Sequence, residues 1–244
     1  MDIIELITTA GFVLAVTPYV WRLGHHIHKI WVIKKYWDGE GNDYVIISPY
    51  HKDPASNKYR YVKHEDISAA RRLERFLTKY GYNVKMKRSV DSLNDEEKSS
   101  NIIIAGSSRT NAAVKQFFPQ LENQYCFNAS HNENYILDKQ GHVRITSPMD
   151  KGISADFALI VKMPNPNKPQ KCVYYIAGIH AIGTWAAAKY VTDTRRLRNM
   201  PSTSKKNAVV GIIEAKFSGF CHISEFDDFV KPRIIPNGNL EISN

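Results

Sequence analysis

Two short stretches carry residues suited to holding an anion. Residues 106–111 read Gly-Ser-Ser-Arg-Thr-Asn and follow the apolar run Asn101–Ala105. Residues 178–184 read Gly-Ile-His-Ala-Ile-Gly-Thr and follow Val173–Ala177. In the first, Gly106 permits a tight turn, and Ser107, Ser108 and Thr110 offer hydroxyl donors. Arg109 brings a planar, permanently charged fork matched to phosphate, and Asn111 can cap the helix that follows. In the second, Gly178 and Gly183 give backbone freedom, His180 a ring donor or acceptor, and Thr184 a hydroxyl at a helix start. A strand that runs into a helix leaves the N–H groups of the first turn without partners, a setting that favours an anion. Neither stretch is a Walker A or a GxGxxG signature. The plain alternative is two ordinary helix caps with Arg109 on the surface. If the strands 101–105 and 173–177 are neighbours, both loops face one crevice, and Gly106–Asn111 with Gly178–Thr184 form a single ligand site.

Other residues have weaker claims. Tyr50, His51 and Asp53 follow the first strand and would lie at the same edge, where Tyr50 could stack on a base. Asp156 opens a strand and could face the crevice or simply shape a turn. Asn165 sits in Pro-Asn-Pro-Asn-Lys-Pro, where turn formation explains it. Glu214 lies on an apolar strand, where a carboxylate is costly unless paired, and is a candidate ion-pair or acid/base residue. The cluster Thr194–Asn199 carries three arginines and reads as a solvated face or a phosphate contact. The sequence has no GxSxG nucleophile motif and no HExxH.

Alternating elements must position these residues. Residues 44–50 read as an apolar strand and 64–81 as a helix with Ile67, Ala70, Leu73, Phe76 and Leu77 at helical spacing and Gly81 at its stop. A strand at 82–90 and a charged stretch at 93–100 precede Asn101–Gly106, whose continuous apolar run marks a strand covered on both faces. A helix ended by Pro119 follows, then short strands over 125–146 with a hairpin turn at 138–142. Strands at 156–164 and 172–178 flank a tight loop at 165–170. A helix at 184–192 and a final strand at 207–217 complete the pattern. Strands alternating with helices predict an α/β layered, mixed sheet with helices on both faces.

The chain has 244 residues, 43% of them hydrophobic, and a net charge of +9. It can therefore bury a core, and the positive balance favours an anionic partner. Cys126, Cys172 and Cys221 are far apart and read as reduced thiols, with neither a disulfide framework nor a metal site. No cofactor is expected. Residues 3–21 have the length of a membrane span, with Glu5 near one end and Tyr19 and Trp21 at the other. Arg22, Lys29, Lys34 and Lys35 follow, and no Lys or Arg precedes, so the positive-inside rule places the rest of the chain in the cytoplasm. A buried N-terminal helix is the alternative, because Thr8, Thr9, Gly11 and Pro18 dilute the span. A signal peptide lacks its basic start and cleavage site. His25, His26 and His28 fit a basic interfacial segment against anionic lipid better than a metal site. The turn-rich 38–43 is the expected linker, dividing the chain into an anchor with a basic juxtamembrane segment (1–37) and a ligand-binding domain (38–244).

Residues 43–217, with the N-terminal span and the two strand–loop–helix units, resemble Rossmann-like nucleotide-sensing proteins, including membrane-anchored effectors of bacterial antiphage signalling. That resemblance implies a single-pass, membrane-anchored receptor for a nucleotide or other phosphorylated small molecule that responds by homo-oligomerising. The alternative is a nucleotide hydrolase or glycosidase working in the same crevice, with Glu214, Asp156 or His180 as acid/base. Nucleic-acid binding is disfavoured, because the basic residues are dispersed and no aromatic RNA-binding signature accompanies them.

Overall fold

The computed structural model describes residues 3–48, 51–52, 59–60, 63–88, 90–106, 111, 113–118, 125–130, 133–138, 143–147, 155–201, 208–217 and 223–235. Its helices are α1 (Ile3–Tyr36), α2 (His64–Lys79), α3 (Asp95–Lys98), α4 (Ala113–Phe117), α5 (Ala181–Val191) and α6 (Thr194–Arg198). Its strands are β1 (Asp43–Ile47), β2 (His51–Lys52), β3 (Tyr59–Arg60), β4 (Asn83–Lys87), β5 (Asn101–Ala105) and β6 (Tyr125–Ser130). The series continues with β7 (Glu133–Asp138), β8 (Val143–Thr146), β9 (Ala155–Asn165), β10 (Lys168–Gly178), β11 (Ala208–Phe217) and β12 (Ile223–Ile235).

The main sheet has seven strands in the order β12-β11-β9-β10-β5-β1-β4. The β4, β1, β5 and β10 strands run parallel. The β9, β11 and β12 strands extend the sheet by antiparallel pairing. The β5 and β10 strands read as continuous apolar runs because they are central and covered on both faces. Ile102, Ile103, Ile104, Val173, Tyr174, Tyr175 and Ile176 have no measurable exposure.

Alternation along the strands feeds two cores. Tyr44, Ile46, Ile103, Tyr174 and Ile176 pack under α2, α5, α6 and the end of α1. Val45, Ile47, Ile102, Ile104, Val173 and Tyr175 pack on the other side with α4 and with Ile136 and Ile145 of the separate β6-β7-β8 sheet. The expected mixed α/β sheet is present. Its two faces differ: one is helical, and the other is covered by a five-residue helix and a small sheet. The β12 strand pairs along β11 beyond the strand expected to be last. Its alternation is interrupted by register shifts, which blur the period-2 signal in the sequence.

The α2 helix forms where its apolar stripe predicts. Ala69, Ala70, Leu73 and Leu77 are buried, acids occupy its first turn, and Lys79 its last. It stops before Gly81, whose φ of 85° suits only a residue without a side chain. Ile67, expected on the buried stripe, is 44% exposed, because the stripe faces α5 one step round the helix. The helix expected to end at Pro119 stops at Phe117, and Pro119 lies outside the described residues.

The α1 helix runs through Pro18 to Tyr36. Tyr19, Trp21, Leu23, Ile27 and Trp31 are exposed, whereas Val32, Ile33, Tyr36 and Trp37 are buried in the helical-side core. The segment expected to lie on lipid therefore ends inside the α/β domain, and a boundary at 37/38 divides residues that one core joins. Trp37 packs against Tyr174 in a tilted pair with ring centroids 4.6 Å apart. Just beyond it, Asp38 meets the ammonium of Lys162, 3% exposed, at 2.7 Å. Among the described residues no helix is long and apolar enough to cross a membrane.

Candidate functional site

The two loops of interest are neighbours. The β5 and β10 strands pair in parallel with Ile104 beside Tyr175 and Ala105 beside Ile176. The N–H of Gly106 then donates to the carbonyl of Ile176 at 2.9 Å. Gly178 and residue 106 thus leave the same edge of the sheet side by side. The β1 strand lies on the other flank of β5, with β4 outside it, so the chain order reverses between β1 and β5. Such a reversal opens a crevice at the carboxyl ends of the strands. Gly106, with φ of 91°, turns the chain there into a conformation that a side chain would strain.

Asn111 closes the floor of that crevice. It is 4% exposed. Its amide donates to Ile47 O at 3.1 Å and to Ala105 O at 3.0 Å, tying the ends of β1 and β5 together. Its oxygen accepts from the N–H of Ala113 and so caps α4. The expected capping is present, and the amide nitrogen is committed to the fold. Ser107, Ser108, Arg109 and Thr110 lie outside the described residues, as do Tyr50 and Asp53; His51 opens β2, with its side chain outside the described set.

The second loop is already supplied with a carboxylate. Asp156, fully buried, opens β9 next to the end of β10. One oxygen accepts from the backbone N–H of His180 at 3.2 Å, the other from the N–H of Phe157 at 2.9 Å. The ring Nδ1 of His180 stands 3.3 Å from the second oxygen. His180 is the N-cap of α5 and offers no side-chain cap, so Asp156 provides the negative charge that the helix start favours. The anion expected at this helix start is a residue of the chain. The imidazole, 19% exposed, is held by its Nδ1 and leaves Nε2 unused by Asp156. A buried carboxylate that orients a half-open imidazole is an arrangement suited to proton transfer or to fixing a hydrogen-bond donor.

Gly183 makes this fit possible: a Cβ there would stand 2.9 Å from Phe157 O and crowd the Asp156 carboxylate. Thr184 is 1% exposed. Its hydroxyl oxygen accepts from the N–H of Gly178 at 3.0 Å, and the same hydroxyl acts electrostatically on the carboxyl of Asp66 in the first turn of α2. That hydroxyl holds the loop together. Asp66 is a residue the sequence gave no reason to single out, since an acid in a first helical turn is commonplace. Its signal is its place at the N-terminus of the helix after β1, on the same edge as α5. Burial raises its carboxyl to about 6, against the smaller lowering effect of the Thr184 hydroxyl.

The remaining candidates separate. Glu214 pairs with Phe157 and Ala215 with Asp156, so strand alternation puts Glu214 on the opposite face of the sheet from Asp156. The two do not form a carboxylate pair. Asn165 lies at the amino edge, fully buried. Its amide donates to Lys98 O at 2.9 Å and Ser100 O at 2.7 Å, fastening the β9–β10 turn to the start of β5. Arg195 and Arg198 flank α1 on the helical layer, while Arg196 lies over the rings of Tyr190 and Phe226. Cys172 is a free, buried thiol, pushed up to about 11 by burial. Among the described residues no group of three or more His, Cys, Asp or Glu side chains could hold a metal ion. No protein-family model matches the chain, and no significant match to it was found among curated proteins.

Proposed function

We propose that the carboxyl edge of β1, β5 and β10 binds a phosphorylated small molecule, with a nucleotide as the expected ligand. The observation that carries this reading is the parallel pairing of β5 with β10 beside the reversal at β1. It brings the 106–111 and 178–184 loops to one edge. The geometry refines the division of labour. The 106–111 loop, with Arg109 and the Ser107, Ser108 and Thr110 hydroxyls, is the phosphate side. The 178–184 loop gives His180, oriented by Asp156, for base, sugar or a bridging oxygen. Gly178, Gly183 and Thr184 shape that loop rather than touch the ligand. In this reading the fold is Rossmann-like, residues 3–21 anchor the chain in a membrane with the domain on the cytoplasmic side, and ligand binding promotes homo-oligomerisation. The resemblance to membrane-anchored effectors of antiphage signalling supports an effector role.

Thermal unfolding of the full chain against a panel of mono-, di- and cyclic nucleotides tests this. A ligand at about 100 times its Kd stabilises by roughly 2.7 kcal/mol, which reads as a shift of a few degrees. A selective shift that Arg109→Ala abolishes supports the site. Equal melting in every nucleotide removes it.

The pairing of Asp156 with His180 favours a second reading, in which the same crevice hydrolyses the nucleotide with His180 as general acid or base. Product formation that falls at least a hundredfold in His180→Ala, with binding retained, supports it. Absence of turnover across the panel leaves binding alone.

A further inference from the structure

A hollow lined by basic side chains lies on the helical face, between α2 and α5. It measures about 430 Å³ and is walled by Arg71, Arg72, Arg75 and Lys79 of α2 and floored by Phe76 and Trp185. Lys189 of α5 leans over the Trp185 ring at 4.2 Å, bringing another ammonium close to the α5 side of the hollow. Among the described residues, Arg71 alone of these has a carboxylate in contact, Glu74 at 3.0 Å. Arg72 is fixed by donating its Nε–H to the Thr192 hydroxyl at 2.7 Å, which leaves the two terminal nitrogens of its fork for another acceptor. It also feels the charge of Asp193. Among the described residues no carboxylate lies within ion-pair distance of Arg75, Lys79 or Lys189.

Cations gathered without matching anions repel one another, and the fold gains nothing from them unless something negative joins them. Burial lowers the Arg72 and Lys189 side chains, and Arg72 depresses Lys189 further. The guanidinium forks favour a planar, bidentate acceptor such as a phosphate oxygen pair. The aromatic floor gives the attached group an apolar seat. We infer that the α2–α5 groove is a phosphate-binding site, with Arg72 and Arg75 gripping the oxygens and Lys79 and Lys189 neutralising the charge. The phosphate can be a soluble one or the headgroup of an anionic lipid. A smaller basic hollow on the same layer, between α1 and α6, contains Lys29, Arg195 and Arg198 and extends the positive surface.

The test uses the full chain, calorimetric titration with inorganic pyrophosphate, and flotation with phosphatidylglycerol against phosphatidylcholine vesicles. The variant is Arg75→Gln/Lys79→Gln/Lys189→Gln, all side chains at the rim; Arg75→Gln alone is the fallback if the triple variant folds poorly. Comparison with the Arg109→Ala parent keeps any contribution of α1 constant. The expected result is a drop of tenfold or more in affinity for at least one probe in the triple variant, or about threefold in the single one, each measured in the Arg109→Ala background so that the carboxyl-edge loops do not contribute. Loss confined to vesicles assigns the groove to lipid phosphate; loss confined to pyrophosphate assigns it to a soluble ligand. An Arg109→Ala parent that binds neither probe, or a variant that binds both as that parent does, overturns the inference.

Discussion

Asp156 and His180 face each other at 3.3 Å across the junction of β9 and α5, with the carboxylate fully buried and the imidazole part open. The same carboxylate accepts two backbone N–H groups, so it holds both the ring and the start of the helix. Asp156→Asn keeps the shape but turns an NH₂ toward one of those N–H groups. The expected cost is about 1–3 kcal/mol in urea unfolding, and Asp156→Ala should cost at least as much. In the His180→Ala background the ring contact is already gone, so the Asp156→Asn cost should shrink only slightly if the backbone bonds dominate. Cancellation of the whole effect would place the energy in the ring contact instead.

Asp66 makes stability depend on pH in an unusual direction. Its carboxyl rises from 3.8 to about 6 on folding, chiefly through burial. The folded chain thus holds this proton more tightly than the unfolded one. The resulting stabilisation is fully present below about pH 3.8 and is lost as pH rises through about 6. Asp66→Asn removes the titration with almost no change of shape. The variant should match wild type near pH 4 and exceed it by on the order of 1–3 kcal/mol near pH 7.5. A constant difference across that range in chemical unfolding would show that Asp66 keeps its charge.

Asn111 predicts that a nearly isosteric change is worse than truncation. Asn111→Ala loses two hydrogen bonds to Ile47 O and Ala105 O and the α4 cap, at a cost of roughly 2–3 kcal/mol. Asn111→Asp retains the cap but aims a carboxylate oxygen at two carbonyl oxygens, and should cost more than Asn111→Ala at neutral pH. The opposite ranking in urea midpoints would mean that the cap, not the clamp on the strands, is what Asn111 contributes.

The readable parts of this chain are those with local periodicity. The apolar runs of β5 and β10 and the stripe of α2 follow from spacing alone, while the loop expected at 165–170 shrinks to a two-residue turn because β9 and β10 extend through Asn165 and from Lys168. The shared edge of the two loops was legible as a condition, and the pairing of Ala105 with Ile176 meets it. What the helix starts do chemically was not legible. The acid that serves α5 is Asp156, and the buried carboxyl near Thr184 is Asp66, both distant in sequence. The α2 arginines carry no signal of their own in the sequence; only the packing of α5 beside them, with Trp185 facing the hollow and Lys189 over its ring, makes a groove of them. The end of α1 looked like surface because lysines alternate with aromatics there; at helical spacing the same residues put Val32, Ile33 and Tyr36 on one buried side.

The seating of α1 has a mechanical consequence. A helix of 34 residues is about 50 Å long. Its last turn is wedged by Tyr36 and Trp37, and the next residue is pinned by Lys162. A crank fixed at its hub in this way passes torque from its far end into β1, β9 and β10 instead of dissipating it at a swivel. Angular phase then matters as much as length. One residue inserted between Arg22 and Lys29 would turn everything before it by about 100°, whereas four would return it to within roughly 40° of its original bearing.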